Sequence, residues 1–295
     1  MTQNIAVFGL GSMGYGIAQS VLRAGHATWG MDINPDAVSR FQSEGGQADP
    51  VDAGKLDTVV VVVLNAAQTE SVLFGDNGVV PGMKPGACVI ACATVPPDFA
   101  RDMAARCGER GVHYLDAPIS GGSVKAAQGK LSVMAGGSAS DFAAARPALD
   151  AMAETVFELG EIGAGSAMKA VNQLLAGVHI ATMAEALTFG MTQGVTPEKF
   201  VEVISQCAGT SWMLENRAPH IVAGDYTPHS AVNIWLKDLG IVLDIAKGAQ
   251  FSAPVTAAAL QQFVAAAGQG LGREDDSAVA KVYARNTGLK LPGEN

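Results

Sequence analysis

The chain is poor in charge and in aromatics. Asp, Glu, Lys and Arg supply 16% of its 295 residues, and Phe, Trp and Tyr supply 6%. With 48% hydrophobic residues, that composition excludes a disordered chain. No Lys/Arg run occurs, and 28 acidic against 19 basic residues leave a formal net charge of −9, which argues against a nucleic-acid partner. An acidic protein that takes an acidic substrate needs a local positive centre, so single lysines matter. The four cysteines, Cys88, Cys92, Cys107 and Cys207, include no Cys-x-x-Cys pair. Cys88 and Cys92 lie in an apolar run and are expected to be buried thiols. The five histidines lack ligand spacing, so no metal site is expected. No uninterrupted apolar run approaches the ~20 residues of a membrane span. The first residues, Met-Thr-Gln-Asn, lead directly into an apolar segment without the basic start of a signal peptide, so a cytoplasmic protein is expected.

What is present is alternation. Residues 5–10 read as a short buried strand, and 15–24 carry Ile17, Ala18, Val21 and Leu22 at helical spacing, with Gly25 placed for a C-cap. Residues 28–32 read as a second strand. The valine run at 58–64 suits a strand covered on both faces, as in a parallel sheet. Further strands are expected at 87–92, 113–116 and 131–135. Together these predict an α/β fold, a Rossmann-type doubly wound parallel sheet over residues 1–162. From 163 the pattern changes to an all-helical C-terminal domain, 163–295, led by a long interdomain helix at about 166–193. The alanine-rich stretch 256–267 reads as a packed helix.

Gly9-Leu10-Gly11-Ser12-Met13-Gly14 matches Gly-x-Gly-x-x-Gly where a strand gives way to a helix, the context that makes the pattern informative. Gly9 permits the tight turn, Gly11 lets the backbone approach a pyrophosphate, and Gly14 allows close helix–strand packing. The helix N-terminus offers N–H groups to the phosphates. Asp32, at the end of the second strand, is placed to accept hydrogen bonds from ribose hydroxyls. It would repel a 2′-phosphate, which favours NAD over NADP.

Asp116-Ala-Pro-Ile-Ser120-Gly121-Gly122 turns sharply after a strand. Its consecutive backbone N–H groups could form an anion-binding concavity, or the segment could be a plain turn. The long helix carries Lys169, Asn172 and Gln173 on one stripe. A lysine there is costly to bury without a task, although it could snorkel to solvent. Glu185, on the same helix, reads as structural. Lys237-Asp238 sits in an apolar helical pattern. Trp212, Asn216 and Arg217 could line a pocket or stabilise a loop.

Taken in order, these motifs resemble the β-hydroxyacid dehydrogenase family, which includes enzymes of 3-hydroxyisobutyrate, tartronate semialdehyde and 6-phosphogluconate. The resemblance rests on the glycine loop, Asp116–Gly122, Gly163-x-Gly165-x3-Lys169-x2-Asn172 and Lys237-Asp238-Leu239. It implies a catalytic Lys169, substrate binding by Ser120, Gly121 and Gly122, a cofactor crevice lined by Leu64, Asn65 and Thr94, and Lys237 near the nicotinamide. It implies NAD as cofactor and a homo-oligomer, dimer or tetramer. The residue four after the lysine is usually asparagine in the family. Here it is Gln173, preceded by Asn172, which is similar to the family's threonate branch, as are Asn65–Gln68, Gln173–His179, Ser211–Arg217, Gly224–Ser230 and Glu274–Ser277. The implied reaction is oxidation of a small anionic hydroxy acid, threonate at C2, with Lys169 as a general base of lowered pKa and Asn172 or Gln173 fixing the hydroxyl. Polar groups around Trp212 and Asn216 would read further hydroxyls. Tartronate semialdehyde reduction, 3-hydroxyisobutyrate oxidation and a non-catalytic dinucleotide sensor stand as alternatives.

Overall fold

The structure is a computed structural model that describes residues 2–294. The first elements alternate: β1 (Asn4–Phe8), α1 (Gly14–Arg23), β2 (Ala27–Met31), α2 (Pro35–Ser43), β3 (Thr58–Val61), α3 (Ala66–Phe74), β4 (Cys88–Ala91), α4 (Pro97–Gly108) and β5 (His113–Asp116). Five parallel strands form one sheet in the order β2-β1-β3-β4-β5. β3 and β4 are buried at every residue, as their unbroken apolar sequences require. Side chains alternate between the faces. Ile5, Val7, Val60, Cys88 and Ile90 join one core, and Ala6, Val59, Val61, Val89 and Ala91 join the other. Strand order reverses between β1 and β3, and ligands of such sheets bind outside the carboxyl ends at that point.

A second sheet comes next along the chain. β6 (Ile119–Ser120), α5 (Gly122–Gln128), β7 (Leu131–Ala135), α6 (Ala139–Met152) and β8 (Ala153–Glu158) give the order β6-β7-β8. The expected 131–135 strand therefore belongs to this smaller sheet. β6 and β8 were not expected from the sequence. β6 has two residues, and β8 is an edge strand with most side chains exposed, Phe157 among them, so neither carries a buried alternating pattern.

α7 (Ala164–Thr192) is the long helix, starting two residues before the expected Ser166. By contacts, one compact unit runs up to Lys169 and a second begins at Ala170, inside α7. The sequence boundary was 162/163. The second unit contains α8 (Pro197–Ile204), α9 (Trp212–Ala223), α10 (Val232–Gly248), α11 (Pro254–Ala266) and α12 (Ala280–Thr287), with no strand among its described residues. Its core joins Ile180, Met183 and Leu187 of α7 with Leu214, Trp235, Leu239 and Phe263. Gly177 is required where α7 meets α10, since a Cβ there would lie 2.8 Å from Leu239 and 2.9 Å from Trp235. Among the described residues, α7 alone is long and apolar enough by composition to cross a membrane. A search for uninterrupted runs misses α7, because it reaches its hydropathy through alanines and methionines around the polar Lys169, Asn172 and Gln173. Of its apolar window, 44% is buried inside the fold.

α6 begins with a reciprocal cap. Ser138 Oγ accepts from Asp141 N, and Asp141 Oδ2 accepts from Ser138 N at 2.8 Å, while His113 Nδ1 lies 2.8 Å from Asp141 Oδ1. Burial works against the Asp141 carboxylate, but the Ser138 and His113 contacts outweigh it and hold its pKa below the usual carboxylate range. A depressed folded pKa contributes stability above the unfolded value of about 4, and that contribution disappears as pH falls through the folded value. Asp141→Asn is expected to cost about 1 kcal/mol at pH 7. The gap to wild type in urea unfolding should close as pH falls through the depressed folded value of Asp141. A gap that persists unchanged at acid pH would contradict this account.

Candidate dinucleotide and hydroxy-acid site

The glycine loop leaves β1 at its carboxyl end. Gly9 has φ +95°, and a Cβ on it would run into the carbonyl of Val62. A Cβ on Gly14 would run into the Gly9 carbonyl, so both glycines are demanded by the fold itself. Gly11 differs, because a Cβ there meets nothing within 4 Å. The chain does not need that glycine for packing, but a pyrophosphate approaching the backbone does. The N-cap of α1, Met13, makes no side-chain hydrogen bond, and Tyr15 N in the first turn donates to Gly11 O at 3.1 Å. Leu10 is buried, whereas Gly11 and Ser12 are exposed.

Asp32 lies just past β2 and accepts two backbone hydrogen bonds, from Leu10 N at 2.5 Å and from Asn34 N at 2.8 Å. It therefore fixes the glycine loop. Leu64 and Asn65 lie beyond the carboxyl end of β3, and half-buried Thr94 beyond that of β4. Leu64 is 54% exposed. Asn65 Oδ1 accepts from Gln68 N at 2.9 Å and Gln68 Oε1 accepts from Leu64 N at 2.8 Å, which shapes this segment into a reciprocal cap for α3.

Lys169 and the Ser120–Gly122 turn come together in the same unit. Asp116, at the end of β5 and 1% exposed, accepts from Gly163 N (3.0 Å), Ser166 N (2.8 Å) and Ser166 Oγ (2.6 Å). These bonds join the carboxylate to the positive end of α7. Burial lifts the Asp116 pKa above its ordinary value, with the Ser166 and Gly163 bonds and Arg101 opposing it. One turn later Lys169, only 8% exposed, donates from Nζ to Ile119 O at 2.9 Å. Ile119 immediately precedes Ser120. Gly121 and Gly122 have φ of +134° and +73°, so this turn requires glycine at both positions. They open α5, whose first N–H groups have no partners in their own helix.

The second unit holds the other polar residues. Asn172 Nδ2 donates to Gln173 Oε1 at 2.8 Å, and Gln173 Nε2 donates to Asp238 Oδ2. Lys237 Nζ lies 2.6 Å from Asp238 Oδ1, as an ion pair without aligned hydrogen-bond geometry. Trp212 opens α9 and is 63% exposed. Arg217 does not stand with it as an open recognition group. Its Nε donates to the fully buried Asp276 at 2.6 Å, and Asp276 also accepts from Trp235 Nε1 at 2.9 Å, so Arg217 serves the fold of this unit. Cys88 and Cys92 are buried as expected, Cys107 is buried too, and burial pushes the Cys92 thiol up to about 12, which excludes it as a nucleophile. Among the described residues no group of His, Cys, Asp or Glu has the arrangement to hold a metal ion.

Comparison with known proteins agrees with this geometry. Residues 4–160 match a family profile described as the NAD binding domain of 6-phosphogluconate dehydrogenase. Residues 163–283 match one described as NAD-binding of NADP-dependent 3-hydroxyisobutyrate dehydrogenase. The chain is 50% identical to an L-threonate dehydrogenase of Cupriavidus necator, over 100% of this chain and 99% of that protein. It is 45% identical to the Escherichia coli K12 protein of the same name, over 98% and 97%. The chain belongs to the 3-hydroxyisobutyrate dehydrogenase-like family. A crystal structure of 3-hydroxyisobutyrate dehydrogenase from Salmonella typhimurium superposes with a TM-score of 0.89 at 46% identity, covering 95% of this chain and 99% of that one.

The first unit of this dehydrogenase is thus its nicotinamide-dinucleotide-binding domain. Sequence reasoning missed two groups in it and its partner unit: the Asp116–Ser166 tie at the head of α7, and Asp238 as the acceptor for Gln173. Asp238 carried a usable signal. Val232, Trp235, Leu239, Val242 and Ala246 mark the buried stripe of α10, and Asp238 falls on it.

Asp32→Ser is expected to release Leu10 N and weaken NAD binding by about tenfold, the scale of one charge-assisted hydrogen bond. It should also narrow the preference for NAD over NADP. Dissociation constants from quenching of protein fluorescence by the two reduced cofactors check both, and an unchanged ratio would count against Asp32.

Proposed function

We propose that this dehydrogenase oxidises L-threonate at C2 to the 2-oxo acid, with NAD as hydride acceptor and Lys169 as general base. The observation that carries the reading is Lys169 itself: buried, and held by the carbonyl of Ile119 beside the Ser120–Gly122 turn. When bound, NAD supplies the hydride acceptor. Gly11, the uncapped start of α1 and Asp32 hold the dinucleotide. The N–H groups at Ser120–Gly122 receive the substrate carboxylate. In this reading Lys169 takes the hydroxyl proton as C2–H leaves as hydride. Oxidation thus yields the oxo acid, NADH and one proton. In the reverse direction Lys169 returns the proton to the alkoxide.

L-Threonate is favoured over other hydroxy acids by the name and identity of the Cupriavidus and Escherichia relatives and by Gln173 with Asn172 on α7. Lys237, on α10, and Trp212, at the start of α9, are further candidate binding residues in this reading. NAD is favoured over NADP by Asp32. One observation favours a second reading, 3-hydroxyisobutyrate as substrate: the Salmonella structure carries that enzyme's name at 46% identity. The homo-oligomer in this proposal would cover Val171, Leu175 and Phe189, exposed apolar residues of α7.

Lys169→Ala is expected to lower kcat with L-threonate by ~10²-fold or more while the NADH dissociation constant stays as in wild type. Near-normal turnover in that variant would sink the assignment.

A further inference from the structure

The substrate of the proposed reaction is an anion, and the chain that admits it has a formal net charge of −9. The field of an acidic protein opposes a carboxylate unless a cation sits close to where it binds. Lys169 does not fill that role, because in the proposed reaction it is uncharged when it takes the hydroxyl proton. Backbone N–H groups at the Ser120–Gly122 turn supply dipoles, not a charge. The stretch 117–135, which contains that turn, holds no acid and two lysines, Lys125 and Lys130. Lys125 is on α5, one helical turn after Gly121 and Gly122. Helical side chains lean toward the N-terminus, and this one leans onto the turn. A Cβ on Gly121 would lie 3.0 Å from Lys125 Cβ and 3.0 Å from Lys125 Cδ, so the aliphatic stem runs along Gly121. Nζ is two bonds beyond Cδ, which keeps the ammonium beside the turn. A Cβ on Gly122 would meet nothing within 4 Å, so there is open space next to it. Lys125 is exposed, and among the described residues its Nζ has no ion-pair partner.

We propose that Lys125 is a substrate-binding residue, the counter-charge for the carboxylate of the hydroxy acid. The inference rests on the proposed hydroxy-acid oxidation and deepens it by naming the group that selects an anion. A carboxylate has lone pairs enough to accept from the ammonium and from the backbone N–H groups of the turn together. The carboxylate is the part of the substrate that the reaction leaves unchanged, and the hydroxy acid and the oxo acid both carry it. Lys125 therefore acts on binding in both directions and stays out of the hydride and proton transfers.

Lys125→Met keeps an apolar stem over Gly121 and removes the charge. KM for L-threonate should rise about tenfold, the scale of one charge-assisted hydrogen bond, and KM for the 2-oxo acid in the reverse direction by a similar factor. By contrast, kcat should move less than about threefold, and the NADH dissociation constant should hold. Lys125→Arg keeps the charge and should bring both KM values to within about threefold of wild type. At saturating NAD, added NaCl should raise KM for L-threonate in wild type and have little effect in Lys125→Met, because screening acts only where the charge is present. A KM in Lys125→Met within about twofold of wild type overturns the proposal, as does Lys125→Arg no better than Lys125→Met. A weaker grip on NADH with KM for the acid unchanged would also overturn it, by giving the lysine to the phosphates of the cofactor.

A second readout needs no turnover. Reductive methylation of the wild-type protein in the presence of NADH, followed by mass spectrometry of its peptides, reports Lys125 and Lys130 separately. Both are exposed. L-Threonate or D-glycerate should slow modification of Lys125 about fivefold or more and leave Lys130 unchanged, since an ammonium held by a carboxylate is withdrawn from the reagent. Glycerol, which offers hydroxyls and no carboxylate, should protect neither lysine. Equal reactivity of Lys125 with and without both acids overturns the proposal. A wild-type enzyme inactive on L-threonate would end the substrate assignment, while protection of Lys125 by D-glycerate would still decide whether this lysine meets a carboxylate.

Discussion

The carboxylate of Asp116 sits at the end of β5 and receives Gly163 N, Ser166 N and Ser166 Oγ. Its position depends on the parallel sheet, which brings the carboxyl end of β5 to the start of α7. The placement of α7 and its lysine depends on that carboxylate in turn. A buried carboxylate is costly unless it is bonded, and the free N–H groups of a helix start are costly unless they are met, so each solves the problem of the other. Leaving either side unmet would cost about 1–3 kcal/mol per group. A helix fixed at its first turn delivers Lys169, three residues after Ser166, to the carbonyl of Ile119 and the Ser120–Gly122 turn. Close packing enforces the same junction, because a Cβ on Gly165 would run into the Asp116 carbonyl.

Backbone proximity is the common device of the dinucleotide domain. A Cβ on Gly9 or Gly14 would run into backbone, whereas one on Gly11 would meet nothing within 4 Å. Asp32 then restrains the loop through Leu10 N. In the second unit the ordering is done by side chains. Gln173 and Asn172 are held by hydrogen bonds, and Asp238 supplies the acceptor from which that order starts.

Much of this was legible in the sequence where a physical demand narrows the choice of residue. The valines of β3, the glycine loop with Asp32, and the lysine on an apolar helix each announce burial or close approach. The long helix was legible to within two residues at its start because a proline-free stretch rich in alanine, leucine and methionine favours helix. β6 and β8 were not legible, since a two-residue strand and a largely exposed edge strand leave no buried alternation. The partners of charged side chains were hidden for another reason. Asp276 lies 59 residues from Arg217 and Asp238 lies 65 from Gln173, and such pairings arise from tertiary packing rather than from any local pattern. Arg217 is the instructive case: the sequence left it either lining a pocket or stabilising a loop, and its burial against Asp276 shows a structural ion pair.

The central claim joins three things: a nicotinamide cofactor, a buried lysine base and a sugar-acid substrate. The most direct test is the initial rate of NADH formation, followed by absorbance, with L-threonate, D-erythronate, D-glycerate and 3-hydroxyisobutyrate at matched concentrations and with NAD and NADP in turn. The account predicts the highest kcat/KM with L-threonate and NAD. A preference for 3-hydroxyisobutyrate, or no turnover with any of the four acids, would contradict it.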